Sequence, residues 1–285
     1  MKINQLVLFL IFILFISCNP SKKSKNQILT FKGSESMHST FDVLKTEFER
    51  SQDTIKIVIE GGGSSLGLKA MKDGTADVGL SSFQFDLDDM LGSNHDVIEH
   101  VLAYDGIVII GNKQNPIEHL TNEQVKGIFS GTITNWSQMG GSPGQIVPII
   151  RDENSGTQRF FQEYFKIDRL NPMAVISSDN KAIVSRVNEN QSGIGFIGFG
   201  YFTESIKSMD VASDSYLDST FISPTFKNLG AGTYPLKRSL QMYYRDQNNP
   251  ALTAFLDYLK TQDAYYIIME QGLLPKRIEA DLAVN

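Results

Sequence analysis

The stretch IVPIIRDENSGTQRFFQEYF, residues 146–165, joins an apolar strand to an amphipathic helix through a polar turn. The run Ile146–Ile150 predicts a buried strand, and Gly156–Phe165 predicts a helix. The first N–H groups of a helix have no partner within the helix, and the helix dipole is positive at that end, so helix N-termini attract anions. Arg151 adds a planar cation that suits two oxygens of a tetrahedral anion. The turn Arg151–Thr157 is therefore a candidate anion site.

Two further segments have the same order of strand, Gly- and Ser-rich turn, and helix. Gly33–Met37 (GSESM) follows a short apolar stretch and precedes apolar residues at helical spacing. Gly61–Ser65 (GGGSS) follows the alternating strand Ile55–Ile59 and precedes a short helix, Leu66–Lys72. Hydroxyl groups donate hydrogen bonds without carrying charge, and glycine lets a ligand approach the backbone closely. Three such turns in one chain favour a shared binding site.

Each turn also has a purely structural interpretation. Serine is a common N-cap residue, and caps are an alternative role for Ser34, Ser36 and Ser155. The Gly61–Gly63 run is compatible with a sharp turn alone, and Arg151 is compatible with a surface ion pair to a neighbouring carboxylate. Taken one residue at a time, the sequence leaves these alternatives open.

Strands and helices alternate along the rest of the chain, which predicts an α/β fold with mainly parallel sheets. Further strands are predicted at residues 28–31, 77–81, 101–110 and 239–244, a strand and tight turn at 193–200, helices near 122–129 and 180–187, and two closing helices within 249–271.

Composition excludes several classes of protein. The 285 residues suggest two domains or one large one, and the net charge of −6 argues against a nucleic-acid binder. The chain has one cysteine, so it cannot form an internal disulfide or a thiolate metal cluster. Its four histidines are scattered and belong to no ligand motif, so no metal or other cofactor is predicted.

The N-terminus predicts export. The eleven apolar residues 6–16 (LVLFLIFILFI) are too few to span a membrane and are typical of a signal peptide. The following FISC, residues 15–18, resembles the lipobox of bacterial lipoproteins, although Leu is usual where Phe15 stands. We therefore expect a signal peptide at 1–17, then a lipidated Cys18 and a flexible tether over 18–27. An ordinary secretory signal with an incidental cysteine is the alternative.

Together these motifs resemble the PstS-like phosphate-binding proteins of ABC transporters, which are type II periplasmic binding proteins. The Arg-x-x-x-Ser-Gly-Thr run at 151–157 is similar to the family's phosphate-binding motif, and IFSGTITNWSQMGG at 128–141 is similar to the segment before it. GSESM at 33–37, GGSS at 62–65 and DVGLSS at 77–82 are similar to three further binding loops. Segments 233–244 and 255–275 are similar to the return strand and the C-terminal helices, so the resemblance covers nearly the whole mature chain.

The resemblance implies a two-lobed α/β fold of the Venus-flytrap type, with a ligand cleft between the lobes. We expect lobe one at 28–105 plus 230–285 and lobe two at 106–229. It further implies a monomeric binding protein, not an enzyme, that captures inorganic phosphate and delivers it to an ABC transporter permease. The protein would lie in the periplasm or on the cell surface, anchored to a membrane by its lipid.

The resemblance also implies which residues bind phosphate. These are Ser34, Ser36, Met37 through its backbone, Ser64 and Ser82 from lobe one, and Arg151, Ser155, Gly156 and Thr157 from lobe two. In the best-known branch an Asp stands at the position of Ser82 and accepts the proton of monohydrogen phosphate, which sulfate lacks. Glu35 is a candidate for that role here; alternatively it faces solvent and complements the helix dipole.

Two other functions are compatible with parts of the sequence. The same fold could bind another oxyanion, such as sulfate, molybdate or arsenate. Gly63–Gly67 (GSSLG) fits the G-x-S-x-G motif of serine hydrolases after a strand, which makes Ser65 a candidate nucleophile. The catalytic histidine of such enzymes follows the acid along the chain, and no histidine lies beyond His119, so a hydrolase is disfavoured.

Overall fold

The computed structural model describes residues 27–212, 220–245 and 248–276. The expected signal peptide, Cys18 and all of the expected tether except its last residue lie outside the described residues. Across these three ranges, no helix has both the length and the apolar character needed to cross a membrane.

The described residues form twelve strands and nine α-helices. The strands are β1 (Gln27–Gly33), β2 (Ile55–Glu60), β3 (Val78–Ser81), β4 (Val97–Gly111), β5 (His119–Leu120), β6 (Val147–Arg151), β7 (Val175–Ser177), β8 (Gly193–Gly198), β9 (Lys207–Ala212), β10 (Phe221–Ile222), β11 (Lys237–Arg245) and β12 (Leu274–Pro275). The helices are α1 (Glu35–Ser51), α2 (Ser64–Asp73), α3 (Leu87–Leu91), α4 (Asn122–Ser130), α5 (Gly156–Phe165), α6 (Asn180–Glu189), α7 (Phe226–Gly230), α8 (Pro250–Leu259) and α9 (Gln262–Glu270).

All of the strands and helices predicted from the sequence are present. Helix α5 has the predicted bounds, and the helix predicted at 66–72 starts earlier, at Ser64, as α2. The sequence analysis missed short elements such as β5, β7, β10, α3 and α7, which have two to five residues each. Elements this short lie below the length over which strand alternation or helical periodicity can be recognised.

The strands form two main sheets that share β4. The first has the order β2-β1-β3-β11-β4 and the second the order β4-β8-β6-β7. β1 runs parallel to β2 and β3, and β6 runs parallel to β7 and β8. β4 and β11 run antiparallel to each other and to their other neighbours in these sheets, so the sheets, expected to be mainly parallel, are mixed, with four parallel and three antiparallel pairings. The reason is that the chain passes between the sheets along these two strands.

β4 passes from the first sheet to the second at Gly106. Residues 97–106 of β4 pair with β11 in the first sheet, and residues 107–111 pair with β8 in the second. Each sheet has its own hydrophobic core. One is formed by residues between 29 and 103 and between 240 and 273, and the other by residues between 107 and 236. We call these bodies the first lobe and the second lobe, and they confirm the predicted two-lobed α/β fold.

Aromatic side chains fill both cores. In the first lobe, Phe31 on β1 contacts Phe41 on α1 and Phe255 on α8 at ring-centroid distances of 5.6 and 5.1 Å. In the second lobe, Phe161 on α5 stacks on Phe196 of β8 at 3.8 Å. Because these rings pack α1 and α5 against the sheets, they also fix where the N-termini of the two helices point.

Candidate functional site

The three polar turns predicted from the sequence lie together, each between the end of a strand and the first turn of a helix. β1 leads into α1, β2 into α2 and β6 into α5. The Gly63 N–H donates to the carbonyl oxygen of Gly33 (2.9 Å), which ties the first two turns to each other. The Ser65 N–H donates to the carbonyl oxygen of Asn154 (3.2 Å), which ties them to the third turn. This last bond joins the first lobe to the second.

Two glycines allow this close approach of the lobes. Gly63 has a φ angle of +95°, and a Cβ atom there would lie 2.4 Å from the carbonyl oxygen of Asn154. A Cβ atom on Gly156 would lie 2.2 Å from Ser64 Oγ. Any side chain at either position would overlap an atom of the opposite lobe, so both contacts need glycine.

A pair of buried hydroxyls connects the lobes beside these glycines. Ser36 Oγ of α1 and Thr157 Oγ1 of α5 are 2.8 Å apart, within hydrogen-bond distance. Asn180 Nδ2, at the start of α6, donates to Ser36 Oγ at 3.2 Å. The first turn of α1 in lobe one therefore meets the first turns of α5 and α6 in lobe two.

A second pair of hydroxyls comes from the first lobe alone. The Ser82 N–H donates to Ser64 Oγ (3.0 Å), and the two hydroxyl oxygens are 3.4 Å apart. Both side chains are buried against Gly156 of the second lobe. The hydroxyl of Ser82 therefore lies where the lobes meet.

Arg151 is buried, with 2% of its side chain exposed. Its Nε–H has no partner among the described residues, and the carboxylate of Asp152 is 3.7 Å from its Nη2. Burial lowers the pKa of Arg151, and the charges of Asp152, Glu35 and Asp179 oppose that shift. A surface ion pair does not describe this residue, because the guanidinium lies inside the molecule.

Three buried polar atoms in this region lack a hydrogen-bond partner among the described residues: Ser34 Oγ, Arg151 Nε and Ser177 Oγ. Ser34 precedes α1 but makes no side-chain cap bond, whereas Ser155 does cap α5 by accepting from the Gln158 N–H (3.3 Å). A buried polar group left unpaired costs about 1–3 kcal/mol. Hydroxyls and a guanidinium can all donate, so a ligand rich in acceptor oxygens fits this set.

Glu35 supports a neighbouring turn. Its Oε1 accepts the Gly62 N–H at 2.7 Å, and its Oε2 lies 3.7 Å from His38 Nδ1. The carbonyl oxygen of Glu35 accepts the hydroxyl of Tyr201 from the second lobe (2.9 Å). The carboxylate is thus engaged with the Gly-rich turn. Its role as an acceptor for a ligand proton stays a prediction.

All nine residues predicted to bind the ligand are buried at or beside this junction of the lobes. The side chain of Met37 packs in the core of the first lobe, and its N–H donates to the carbonyl oxygen of Ser34 (3.1 Å). The structure brings together the turns that carry the predicted residues. That each of them contacts a ligand stays a prediction.

The sequence analysis missed four buried polar residues of this region: Asp105, Ser177, Asn180 and Arg238. Arg238 Nη1 donates to Thr157 Oγ1 (2.8 Å) and to the carbonyl oxygen of Ser82 (3.2 Å). Burial lowers the pKa of Arg238, and the facing carboxylate of Asp105 opposes that shift.

A signal for one of these residues was present in the strand that carries it. Arg238 stands in phase with Leu240 and Met242, two buried residues of the same strand. A charged residue in the buried phase of a strand requires a partner in the interior. For Ser177 and Asn180, no local sequence pattern predicts that the side chain is buried.

No group of three or more His, Cys, Asp or Glu side chains that could hold a metal ion occurs within residues 27–212, 220–245 and 248–276.

Comparison with known proteins identifies the family. Residues 19–263 match the family model PBP_like_2, described as a PBP superfamily domain. The phosphate-binding protein PstS of Bacillus subtilis (strain 168) is 26% identical over 294 residues, covering 96% of this chain and 95% of that protein. PstS of Borreliella burgdorferi is 25% identical, covering 94% of this chain and 98% of that protein.

Solved structures agree with the sequence relatives. A substrate-binding protein with bound phosphate from Clostridium perfringens is 28% identical with a TM-score of 0.80, covering 88% of this chain and 100% of that one. An ABC-type phosphate transport receptor from Vibrio cholerae is also 28% identical, with a TM-score of 0.73 and coverage of 87% and 100%.

These matches confirm the predicted resemblance to PstS-like proteins and the prediction that the chain is a binding protein rather than an enzyme. Because the chain is not an enzyme, the interpretation of Ser65 as a hydrolase nucleophile is wrong. The N–H of Ser65 instead donates to the carbonyl oxygen of Asn154 in the second lobe. The chain belongs to the PBP superfamily, as a relative of the PstS-like phosphate-binding proteins.

Proposed function

We propose that this chain captures inorganic phosphate between its two lobes and delivers it to the permease of an ABC transporter. The observation that carries the proposal is the set of buried donors without partners among the described residues, at Ser34, Arg151 and Ser177. The relatives named above are phosphate-binding proteins, which favours phosphate over sulfate, molybdate and arsenate.

The charge of the site supports an anionic ligand. The carboxylate of Asp152 stays 3.7 Å from the guanidinium of Arg151, beyond hydrogen-bond distance, so among the described residues this buried cation has only a loose ion pair. In a buried site with a low local dielectric, such a charge attracts an anion more strongly than it would in water. We propose that phosphate is bound by the hydroxyls and N–H groups of the predicted residues: Ser34, Ser36, Met37, Ser64, Ser82, Arg151, Ser155, Gly156 and Thr157.

Phosphate would favour the arrangement in which the lobes touch. The proposed ligand groups come from both lobes, so a separated pair of lobes offers only part of the donor set. The direct bonds between lobes, such as Ser36 to Thr157 and Ser65 to Asn154, form in the same arrangement. The permease would recognise this closed form of a monomeric carrier.

The two hydrophobic cores suggest where the lobes divide. We place one boundary at Asp105–Gly106, where β4 changes sheets. Tyr234 and Leu236 pack in the core of the second lobe, so we place the other boundary between Leu236 and Lys237. This second boundary lies seven residues later than the one expected from the sequence, after 236 instead of after 229.

The N-terminal segment fits an exported carrier. We propose that residues 1–17 are removed as a signal peptide and that Cys18 is lipidated, which tethers the protein outside the cytoplasm beside its permease. A single acyl chain gives marginal membrane binding, whereas several chains give stable attachment. An anchored carrier stays near its permease at any ligand concentration.

Sulfate is the second candidate ligand, and one observation favours considering it. Ser82 stands where the best-known phosphate carriers have the carboxylate that accepts the ligand proton, and the carboxylate of Glu35 is engaged by the Gly62 N–H. A site built mainly of donors lacks the acceptor that repels a fully ionised oxyanion.

The test is calorimetric titration of the purified, ligand-free protein with phosphate and then with sulfate at the same pH. The proposal predicts a dissociation constant for phosphate in the micromolar range or tighter, and weaker binding of sulfate. Equal or tighter binding of sulfate would assign the site to the second candidate. No binding of phosphate by a folded, ligand-free sample would refute the proposal.

A further inference from the structure

Arg238 lies at the crossover between the lobes. It is the register partner of Asp105 on the antiparallel strands β11 and β4, one residue before β4 changes sheets at Gly106. Both side chains are buried, with 2% of each exposed. A charged pair is therefore built into the strands that connect the two lobes.

The carboxylate of Asp105 fixes this guanidinium in place. Asp105 Oδ2 accepts from Arg238 Nε (3.2 Å) and Nη2 (2.7 Å). Asp105 Oδ1 accepts the N–H of Phe199, which follows β8 in the second lobe (3.1 Å). Both oxygens of the carboxylate are used, so neither the carboxylate nor the guanidinium can rotate without losing a buried hydrogen bond.

The third nitrogen of the guanidinium, Nη1, bonds one residue of each lobe beside the proposed ligand site. Nη1 donates to the carbonyl oxygen of Ser82 in the first lobe (3.2 Å) and to Thr157 Oγ1 in the second (2.8 Å). An arginine N–H can only donate, so Thr157 Oγ1 accepts this bond and keeps its own hydrogen for another acceptor.

Ser36, the hydroxyl partner of Thr157, also accepts a hydrogen bond from a side chain that can only donate to it. Asn180 Nδ2 donates to Ser36 Oγ, and Asn180 Oδ1 accepts the N–H of Gly198 (3.3 Å), which fixes the orientation of the amide. The hydroxyls of Ser36 and Thr157 share one hydrogen bond with each other. Of their two hydroxyl hydrogens, one is used in that bond and the other is left to donate elsewhere. An oxygen of the anion is an acceptor for it.

We propose that Arg238 is a positioning residue for the anion: by donating to Thr157 Oγ1 it occupies an acceptor position of the Ser36–Thr157 pair, so that the pair's remaining hydrogen is directed to the anion, and by bonding both lobes it couples that donor to lobe closure. The inference rests on the proposed phosphate site. Arg238 itself need not touch the ligand, since it acts through Thr157 and Ser82.

The test is a double-mutant cycle on the purified protein, read out by phosphate titration. Because one unpaired buried charge is strongly destabilising, both charges are removed together in the Arg238→Met, Asp105→Asn variant, which keeps a side-chain acceptor for the Phe199 N–H. Thr157→Val removes the hydroxyl that Arg238 holds. We expect each change to weaken phosphate binding at least about tenfold, and the combined variant to be little weaker than the worse of the two.

Arg245→Met is the matched control. Arg245 lies at the opposite end of the same strand, where its Nε donates to Asp96 (2.7 Å) and its Nη1 donates to the carbonyl oxygen of Met71 (2.7 Å). This change should leave phosphate affinity within about twofold of the wild type, because Arg245 is bonded neither to the second lobe nor to a residue of the proposed site. If the charge-free variant does not fold, Arg238→Lys takes its place in the cycle, since an ammonium group keeps the charge but cannot reach both Asp105 and Thr157 with a planar fork.

The outcomes separate the inference from the function on which it rests. Losses that multiply in the combined variant would show that Arg238 does not act through Thr157, and unchanged affinity in the charge-free variant would show that it does not act on the site. Either result overturns the inference while the wild type still binds phosphate. A wild type that does not bind phosphate refutes the proposed function, and the inference with it.

Discussion

Gly156 begins α5 at a close contact between the lobes, and its replacement by alanine should block closure. A Cβ atom there would lie 2.2 Å from Ser64 Oγ, 2.9 Å from Ser64 Cβ and 2.8 Å from Ser82 Oγ. Rotating the hydroxyl of Ser64 relieves only the first overlap, because Ser64 Cβ does not move with it. Optimal carbon contacts lie near 3.5–4.0 Å, so the lobes have to separate by roughly 1 Å.

The magnitude follows from the donors that such a shift withdraws. Hydrogen bonds to charged groups are worth about 1.5–3 kcal/mol each, and a shift of this size breaks at least two of the bonds that one lobe makes to the ligand. The expected loss is therefore at least about 3 kcal/mol, or about a hundredfold weaker phosphate binding. The fold of each lobe should not suffer, because Gly156 does not have a positive φ and the atoms that its Cβ would meet belong to the opposite lobe.

The assay is phosphate titration of Gly156→Ala together with thermal unfolding in the absence of phosphate. Gly230→Ala is the matched control, since a Cβ atom at Gly230 has no neighbour within 4 Å and the residue does not have a positive φ. We expect the control to bind like the wild type and both variants to unfold near the wild-type temperature. Phosphate affinity of Gly156→Ala within about threefold of the wild type would refute the argument that this contact sets closure.

Three further predictions concern single residues of the proposed site and anchor. Arg151→Ala should weaken phosphate binding by at least about 2 kcal/mol, roughly thirtyfold, in the same titration, and an unchanged affinity would remove Arg151 from the site. Glu35→Gln should reduce the preference for phosphate over sulfate in paired titrations if this carboxylate accepts the ligand proton; unchanged affinities for both anions would end that role. Cys18→Ser should release the protein from the membrane fraction of cells that express the full chain, and retention there would contradict lipid anchoring at this residue.

The sequence was sufficient to predict the elements that carry the site. Strand, Gly- and Ser-rich turn, and helix follow one another at three places, and local patterns of this kind depend on neighbouring residues only. The bounds of α5 follow from the run at 146–165, whereas the burial of Arg151 settles a choice that the sequence left open between an anion site and a surface ion pair. What such a pattern lacks is the direction in which each hydroxyl points, so the cap of Ser155 and the unpaired hydroxyl of Ser34 could be told apart only in three dimensions.

The contacts between residues far apart in the sequence could not be predicted from local patterns. Arg238 and Thr157 are 81 positions apart, and Asn180 and Ser36 are 144 apart. Their meeting depends on the antiparallel pairing of β4 with β11 and on lobe closure, neither of which has a local signature. The antiparallel pairings of β4 and β11, which make the sheets mixed, were missed for the same reason.

A crystal structure of the phosphate-saturated protein would show whether an anion binds to buried donors of both lobes at once. We expect a tetrahedral anion within hydrogen-bond distance of the Arg151 guanidinium and of Ser34 Oγ, with the Ser36–Thr157 bond retained. A phosphate bound to one lobe only, or one that leaves Arg151 and Ser34 without a partner, would contradict this expectation.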